Sequence, residues 1–248
     1  MRSNKAKILL SKNNDLFNIV EKEFRVEKEI LLSLWGIETN FGKHVGKMDI
    51  ISSLATLSFD ERRSEFFTNE LITILKLIDK KIIDHKILFG SWAGAFGNFQ
   101  FMPSTIKNYA IDYNNNSNIE LKKIDDSFAS AANYINKIGW KTNSPCFISI
   151  ELNESVPKKY LNTSARKLKN KRKVKHLKKF LKNSDNYTSY DDMVAAIITP
   201  DKDIIPGSST LKPAYLVFNN YELILKWNRS LRFALAVCTL KDKIKNEI

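Results

Sequence analysis

Apolar residues recur at helical spacing through the first half of the chain, and this periodicity limits the fold more than any other sequence feature. It predicts helix over residues 14–42, 63–83 and 125–139. The last of these segments is rich in alanine and ends at Gly139, a typical helix stop. A shorter helix should begin at Pro103, because proline is well suited to the first helical turn. Most of this half is therefore expected to be α-helical.

Strand signals are confined to the later part of the chain. Residues 147–152 alternate between apolar and polar side chains, which predicts a strand. Apolar residues around 197 and 214–218 predict a strand pair with a Pro206–Gly207 turn between them, before a closing helix that begins at Tyr221 or Asn228. The expected fold class is mostly α, of the α+β kind, with a small β part in the C-terminal third.

The segment 158–182 is the most polar part of the chain. It holds twelve Lys or Arg and no Asp or Glu. Such a composition favours a solvated or mobile excursion. We therefore expect an α-rich region over 1–150, a basic insertion over 151–190, and a β segment with a closing helix over 191–248 that completes the first region.

Charge and composition narrow the classes of function. Lys and Arg number 40 against 27 Asp and Glu, a net charge of +13, which favours nucleic acid, a membrane surface or an anionic polymer as partner. No apolar window is long enough to span a bilayer, and the apolar run 8–10 is too short for a signal peptide. Two cysteines, Cys146 and Cys238, allow one disulfide but neither a disulfide framework nor a thiolate zinc site. The three scattered histidines predict no zinc site either.

Glu38 is the first candidate for chemistry, because it falls on an apolar helix face. Leu31, Leu34, Trp35 and Phe41 share that face at helical spacing. A carboxylate in such a place is costly unless it is paired or functional. Desolvation would raise its pKa, as a general acid near neutral pH requires. The spacing alone leaves open a helix-end residue that is satisfied by a backbone amide or an arginine.

A loop rich in glycine and aromatic residues, 90–104, is the second candidate. Its three glycines would let the backbone approach a flat ligand closely. Ser91 and Gln100 can hydrogen bond to amides and hydroxyls, while Trp92 and Phe101 can stack on sugar rings. The loop matches neither a dinucleotide fingerprint nor a P-loop. Taken alone, it could equally be a tight structural turn.

Together these segments resemble the motifs of the B-type lytic murein transglycosylases, in the same order. Residues 36–42, Gly-Ile-Glu-Thr-Asn-Phe-Gly, look like the catalytic motif of that family. The loop 90–104 is similar to its Gly-Ser-aromatic-Ala-Gly-Ala…Gln-Phe-Met-Pro-Ser segment. Further blocks resemble residues 54–59 with Arg62 and Arg63, 132–134 with 139–140, and 219–244. The resemblance covers about 36 to 244, most of the chain.

The resemblance implies a lysozyme-like fold and cleavage of the β-1,4 bond between N-acetylmuramic acid and N-acetylglucosamine in peptidoglycan. No water is added, because the C6 hydroxyl of the muramic acid attacks C1 and leaves a 1,6-anhydro end. Glu38 would be the sole catalytic carboxylate, first as acid and then as base, unlike the carboxylate pair of most glycosidases. The implied substrate-binding residues are Ser91, Gln100, Phe101, Met102, Tyr134, Asn228, Arg62 and Arg63.

The chain departs from the family pattern at a loop that often holds calcium. The ligand positions of an EF-hand-like loop are occupied by Asp112, Asn114, Asn116, Asn118 and Glu120. Lys123 stands at the twelfth position, where a bidentate carboxylate normally completes the site. Asp126 could replace that carboxylate only through a rearranged loop. We expect no calcium, no other metal and no cofactor. A second departure is Trp227, which replaces the Tyr of a Tyr-Asn-x-Ser motif and loses its hydroxyl.

Peptidoglycan glycan strands are the implied partner, and the periplasm or cell envelope is the implied location of a monomeric enzyme. Anionic envelope polymers or lipid headgroups are further candidates for the segment 158–182. Nucleic acid is not expected, because no recognised nucleic-acid motif accompanies the basic residues. The alternative is a catalytically silent peptidoglycan-binding protein on the same fold. The presence of Glu38, Ser91 and Gln100 argues against it, because a scaffold does not need the acid.

Overall fold

The computed structural model describes residues 2–201, 207 and 211–247, and they form two compact units. The first unit contains the residues up to 139 together with those from 240 onward, and the second contains residues 140–239. The three-part division expected at 150 and 190 stays a prediction about domains.

The first unit is mainly helical. Its helices are α1 (Arg2–Lys12), α2 (Asn14–Phe24), α3 (Lys28–Thr39), α4 (Ile50–Ser58), α5 (Ser64–Asp79), α6 (Pro103–Tyr109) and α7 (Ile124–Lys137). Two short antiparallel strands, β1 (Met48–Asp49) and β2 (Phe89–Gly90), join the segments on either side of α4 and α5. Helix α6 begins at Pro103 as the sequence predicts.

The predicted helix over 14–42 is two helices. Arg25 adopts a left-handed conformation, with a φ of 53°, and the chain becomes helical again at Lys28. Neither glycine nor proline occurs at this break, and the apolar periodicity continues across it, so the sequence does not indicate that the helix ends there. The prediction of one continuous helix was wrong for this reason.

Helix α3 lies at the centre of the first unit. Every residue from 30 to 36 is buried, so the expectation of one apolar face is corrected to a helix buried on all sides there. Phe128 of α7 packs on the rings of Phe17, Trp35 and Phe99, with centroid distances of 4.5, 5.2 and 5.1 Å. This aromatic cluster fixes α3 between the other helices.

The second unit contains a small mixed sheet. Its strands are β3 (Phe147–Ile150), β4 (Leu161–Asn162), β5 (Arg172–Lys173), β6 (Val194–Ile198) and β7 (Ala214–Val217). The order is β3-β7-β6-β4, with β5 also paired to β6; only β4 runs parallel to its neighbour. The predicted strand pair is thus confirmed, while Pro206 of the predicted turn lies outside the described residues.

Helices complete the second unit around and after the sheet. Besides the short α8 (Val174–Leu177), the closing segment contains α9 (Asn219–Trp227) and α10 (Leu231–Glu247), where the sequence predicted one helix. The residues of α10 from 240 onward belong to the first unit. A disulfide joins Cys146 to Cys238, which realises the single bridge that the sequence allowed. The fold class is as expected, mostly α with a small β part.

The basic segment 158–182 contributes to the core of the second unit. Val174, Leu177, Phe180 and Leu181 are buried against the sheet. The interpretation as a solvated or mobile excursion is therefore wrong for its apolar residues. Lysines dominate the composition, yet their side chains point outward and leave the interspersed apolar residues to pack.

Candidate functional site

Glu38 lies in the last turn of α3, where the buried helix reaches solvent. It is partly buried, and residues 30–36 before it are fully buried. The helix ends at Thr39 because Asn40, Phe41 and Gly42 all take positive φ, at 51°, 61° and 77°. The carboxylate is therefore attached to a rigid element rather than to a loop, as a group that must be positioned for proton transfer requires.

Thr39 fastens the end of α3 to the glycine-rich loop. Its Oγ1 donates to the backbone oxygen of Asn98 at 2.9 Å and accepts from the Gly42 N–H at 3.0 Å. Asn98 is held in turn, because its Nδ2 donates to Ser127 Oγ at 3.0 Å. The two motifs that stood apart in the sequence thus share one buried hydrogen-bond network. No sequence signal assigned Thr39 or Asn98 this role.

Lys5 of α1 supports the same helix end. Its Nζ donates to the backbone oxygen of Asn40 at 3.1 Å and lies 5.2 Å from the centroid of the Phe41 ring. A cation is favourable there, because unpaired carbonyls give a helix C-terminus a partial negative charge. Helix α1 was not among the helices predicted from the sequence.

The glycine-rich loop folds on itself as a tight hairpin. Phe96 and Phe101 exchange two backbone hydrogen bonds of 2.9 Å each. A Cβ at any of its three glycines would collide with protein atoms, of Ala95 at Gly90, of Leu54 at Gly94 and of Leu121 at Gly97. The expectation that these glycines admit a flat ligand is therefore corrected: they admit the chain's own atoms.

Ser91 and Gln100 line one cavity with the loop that follows α3. The cavity has a volume of about 660 Å³, and its opposite wall is the segment 43–48. Ser91 Oγ accepts from the Ala95 N–H at 2.9 Å, which leaves its own proton to donate. Gln100 Nε2 donates to the oxygens of Val45 and Gly97, at 3.2 and 2.9 Å, so both walls are joined through this side chain. The volume of this cavity lies in the range that is typical of small-molecule binding sites.

The aromatic residues of the predicted site differ in exposure. Trp92 lines the cavity and is 69% exposed, whereas Phe101 is only 2% exposed. Phe101 packs edge-on against Tyr134 at 5.9 Å and cannot offer a free ring face to a sugar, which corrects that expectation. Tyr134 stacks on Tyr109 at 4.2 Å, and burial, together with Tyr109, raises the pKa of Tyr134 to about 12.

The remaining predicted binding residues lie on other elements. Met102 is partly buried and occupies the N-cap position of α6 without a side-chain hydrogen bond to the helix. Arg62 and Arg63 are exposed before α5, with the Arg63 guanidinium 4.6 and 4.7 Å from the rings of Phe66 and Phe67. Asn228 is exposed after α9 in the second unit. Their contacts with substrate stay predictions.

The calcium-like loop closes on its own hydrogen bonds. Asp112 accepts from the N–H groups of Asn116 and Ser117, at 3.1 and 2.7 Å. The Asn114 and Asn116 side-chain oxygens accept from the amides two residues further on, at 3.1 and 2.9 Å. Asparagine side chains often bond to nearby backbone groups in this way in turns. In the described part of the chain, no group of three or more His, Cys, Asp or Glu could hold a metal.

Asp126 braces that loop from α7. It is fully buried, and its two carboxylate oxygens accept from the N–H groups of Tyr113 and Glu120, at 2.9 and 2.8 Å. Desolvation raises the pKa of Asp126 despite these bonds. Both oxygens already have a partner, so Asp126 serves the loop as a structural acceptor.

Known proteins share this architecture. Over 127 residues, the chain is 41% identical to membrane-bound lytic murein transglycosylase B of Escherichia coli, covering 51% of this chain and 35% of that protein. The structure of the present chain is similar to that of SltB3 of Pseudomonas aeruginosa in complex with NAG-NAM-pentapeptide, with a TM-score of 0.84 and 28% identity. The match covers 98% of this chain and 63% of SltB3.

A third relative is the Escherichia coli lytic transglycosylase Slt35 in complex with calcium, with a TM-score of 0.80 and 26% identity. There the match covers 99% of this chain and 75% of the other. The chain thus spans about a third of the curated relative and less than two thirds of SltB3. None of the helices among the described residues has the length and apolarity to cross a membrane.

The match to a family model extends over nearly the whole chain. That model describes the transglycosylase SLT domain and matches residues 1–242. It takes in the end of α3, the glycine-rich loop and the sheet of the second unit. The chain belongs to the transglycosylase SLT domain family.

Proposed function

We propose that the chain is a lytic transglycosylase that cleaves the β-1,4 bond between N-acetylmuramic acid and N-acetylglucosamine in peptidoglycan. The observation that carries this proposal is Glu38, a partly exposed carboxylate at the fixed end of a buried helix. The names of the relatives, and the NAG-NAM-pentapeptide bound to SltB3, support the substrate class. The family motif around Glu38 supports the reaction type.

Glu38 acts twice in the proposed mechanism. Its proton passes to the glycosidic oxygen as the C1–O bond breaks, and N-acetylglucosamine leaves as the alcohol. The carboxylate then takes the proton of the C6 hydroxyl of the muramic acid, whose oxygen bonds to C1. One bond forms as one breaks, water is not consumed, and Glu38 ends in its starting state. The nucleophile belongs to the substrate, so a second carboxylate is unnecessary.

Other buried carboxylates near this part of the chain already have structural partners. Glu70 of α5 accepts from the N–H and the Oγ of Ser104, at 2.7 and 2.6 Å, and so caps α6. Asp126 is committed to the Asp112–Glu120 loop. These bonds support the assignment of both proton transfers to Glu38.

Three side chains of the 660 Å³ cavity are proposed to hold the glycan. Ser91 can donate its hydroxyl proton, and Gln100 Oε1 accepts no hydrogen bond within the described residues, so it is available to a sugar hydroxyl or acetamido N–H. The exposed ring of Trp92 can cover an apolar sugar face. Phe101 and Tyr134 would shape this region from behind.

The cell envelope is the proposed location. The Cys146–Cys238 disulfide supports it, because disulfides persist in oxidising compartments and are rare in the cytosol. The enzyme is proposed to act there as a monomer on glycan strands.

The decisive experiment is mass spectrometry of purified peptidoglycan after incubation with the protein. Transglycosylation gives anhydromuropeptides, which are lighter by one water than the products of hydrolysis. Products with only reducing ends would replace the proposal with a hydrolase. Binding without any cleavage would establish the silent peptidoglycan-binding alternative.

Replacing Glu38 by Gln should lower the rate of glycan cleavage by about 10²-fold or more, the scale of lost acid–base catalysis. The amide keeps the shape of the side chain but has no acidic proton to transfer, and it is uncharged, so the melting temperature should not fall. Glu65→Gln, at an exposed position of α5, is the matched control and should retain activity. Normal turnover in the Glu38 variant would assign the chemistry to another residue.

A further inference from the structure

The second unit contains a cavity that the proposed glycan chemistry does not use. Its volume is about 560 Å³, and it lies between the segment 165–168 and one face of α9. Asn219, Glu222 and Lys226 line it from that face at intervals of three and four residues, and Arg229 follows the helix. We call this the basic cavity.

Cations outnumber carboxylates in the lining of the basic cavity. Five of its side chains are cationic, Arg166, Lys167, Lys171, Lys226 and Arg229, whereas Glu222 is its one carboxylate. Glu222 is itself neutralised, because Lys171 Nζ lies 2.8 and 3.1 Å from its two oxygens. The remaining cations face a concave surface, where walls of low dielectric concentrate their positive potential.

Outside the basic cavity, lysines of the segment 158–182 form ion pairs with aspartates. Lys173 and Lys175 share Asp192, at 3.1 and 3.2 Å, and Lys178 lies 2.7 Å from Asp191. None of the ion pairs between described residues includes Arg166 or Lys167. Among the described residues, the fold therefore supplies counter-charges to the cations of β5 and α8 but none to Arg166 and Lys167.

We propose that the basic cavity binds a phosphate group, carried by a small soluble phosphate or by a lipid headgroup. Guanidinium groups match the geometry of phosphate oxygens, and Arg166 and Arg229 enter from the two different walls. A phosphomonoester carries a charge of about −1.5 to −2 near neutral pH, which matches the combined positive charge of Arg166, Lys167 and Arg229 better than the single charge of a carboxylate does. This site is independent of the glycan-cleaving function proposed for Glu38.

The test is calorimetric titration of the full chain with pyrophosphate at physiological ionic strength. Citrate serves as a carboxylate probe of comparable charge. The cavity variant is Arg166→Gln with Lys167→Gln, and the control is Lys158→Gln with Lys182→Gln, which removes the same charge from exposed positions of the same segment. All four side chains are exposed, so the melting temperatures should match the unmodified chain.

We expect saturable binding of one pyrophosphate per chain, weakened about tenfold or more in the cavity variant and much less in the control. Equal weakening in both variants would overturn the proposal in favour of general electrostatic attraction. Citrate that binds as tightly as pyrophosphate would also overturn it.

A vesicle arm distinguishes the two sources of the phosphate. Phosphatidylcholine vesicles with and without phosphatidic acid are sedimented with the unmodified chain and with both variants. Sedimentation with phosphatidic acid that the cavity variant loses and the control keeps assigns the phosphate to a lipid headgroup. Pyrophosphate binding without such sedimentation assigns it to a soluble molecule. Failure of both probes to bind would show that the basic cavity has no phosphate ligand.

Discussion

At the scale of single residues, the Thr39 hydroxyl links the helix of Glu38 to the glycine-rich loop. Thr39→Val keeps the side-chain shape and leaves the Asn98 oxygen and the Gly42 N–H without this partner. The stability cost should be about 1–3 kcal/mol. Thr39 is the residue next to Glu38, so we expect the loss of these bonds to displace the carboxylate and to lower kcat for glycan cleavage more than it raises KM.

Thr39→Ser tests whether the hydroxyl or the packing matters. Serine retains the oxygen, so it should recover most of the stability and activity lost in the valine variant. Denaturant unfolding and steady-state cleavage assays measure the two effects. If valine and serine behaved alike, the hydrogen bonds of Thr39 would not position Glu38.

Tyr134 should make the folded state sensitive to alkaline pH. Burial, with the neighbouring Tyr109, raises its pKa from 10.0 to about 12. A group whose pKa is higher in the folded state than in the unfolded state stabilises the folded state. This stabilisation is complete at pH values below the unfolded-state pKa, and it is lost as the pH rises through the folded-state pKa. The melting temperature should therefore fall more steeply between pH 10 and 12 in the unmodified protein than in Tyr134→Phe. Parallel curves for the two proteins would exclude this role.

Side-chain identity predicted some of these residues and missed others, for physical reasons. Glu38 was predicted as the catalytic residue because a carboxylate among apolar neighbours is costly, and this role stays a prediction. Thr39 and Asn98 were missed because a polar residue with buried partners looks, in sequence, like any polar residue. The burial of Phe101 was missed because an aromatic residue suits a core and a sugar site equally.

At the scale of elements, the sequence predicted where helices occur better than it predicted the residues at which they begin and end. Helices α6 and α7 were located through Pro103 and Gly139, residues whose backbone preferences mark helix ends. The break at Arg25 could not be predicted, because arginine is not one of the residue types that mark a left-handed backbone position in a sequence. The packing of the segment 158–182 was likewise not predicted, because its apolar residues are scattered among twelve basic ones and give no clear periodicity.

The loop between Asp112 and Glu120 should make the protein indifferent to calcium. In a relative with a complete site, calcium at a hundredfold excess over Kd would add about 2.7 kcal/mol to the free energy of unfolding. Here Lys123 replaces the last carboxylate, and Asp126 already accepts two backbone bonds. Melting temperature and activity should therefore be the same in several millimolar calcium and in chelator.

The Lys123→Glu variant is a positive control for the calcium experiment. Lys123→Glu restores a carboxylate at the twelfth position, and in this variant calcium should raise the melting temperature if the loop can rearrange. A rise of several degrees in the unmodified protein would contradict the prediction and make calcium a structural cofactor.

At the scale of the whole molecule, the order of the motifs along the chain predicted the fold class better than the separate predictions of helices and strands did. The family resemblance predicted the fold class, because motifs at distant positions must be brought together by one architecture. It did not predict the strand order β3-β7-β6-β4, since those pairings join segments far apart in sequence. It also left the disulfide open, because two cysteines alone do not show whether they meet.

The disulfide should be a main source of stability for the second unit. Cys146 and Cys238 are 92 residues apart, so the bridge closes a loop that includes nearly all of that unit. Closing so long a loop restricts the unfolded chain and should contribute about 2–4 kcal/mol. Reduction, or replacement of both cysteines by serine, should lower the denaturant midpoint and speed hydrogen exchange in β3, β6 and β7 more than in α3 and α7. The double variant should not respond further to reductant, which is the internal control. Unchanged exchange in the sheet after complete reduction would show that the core around Leu216 holds the second unit without the bridge.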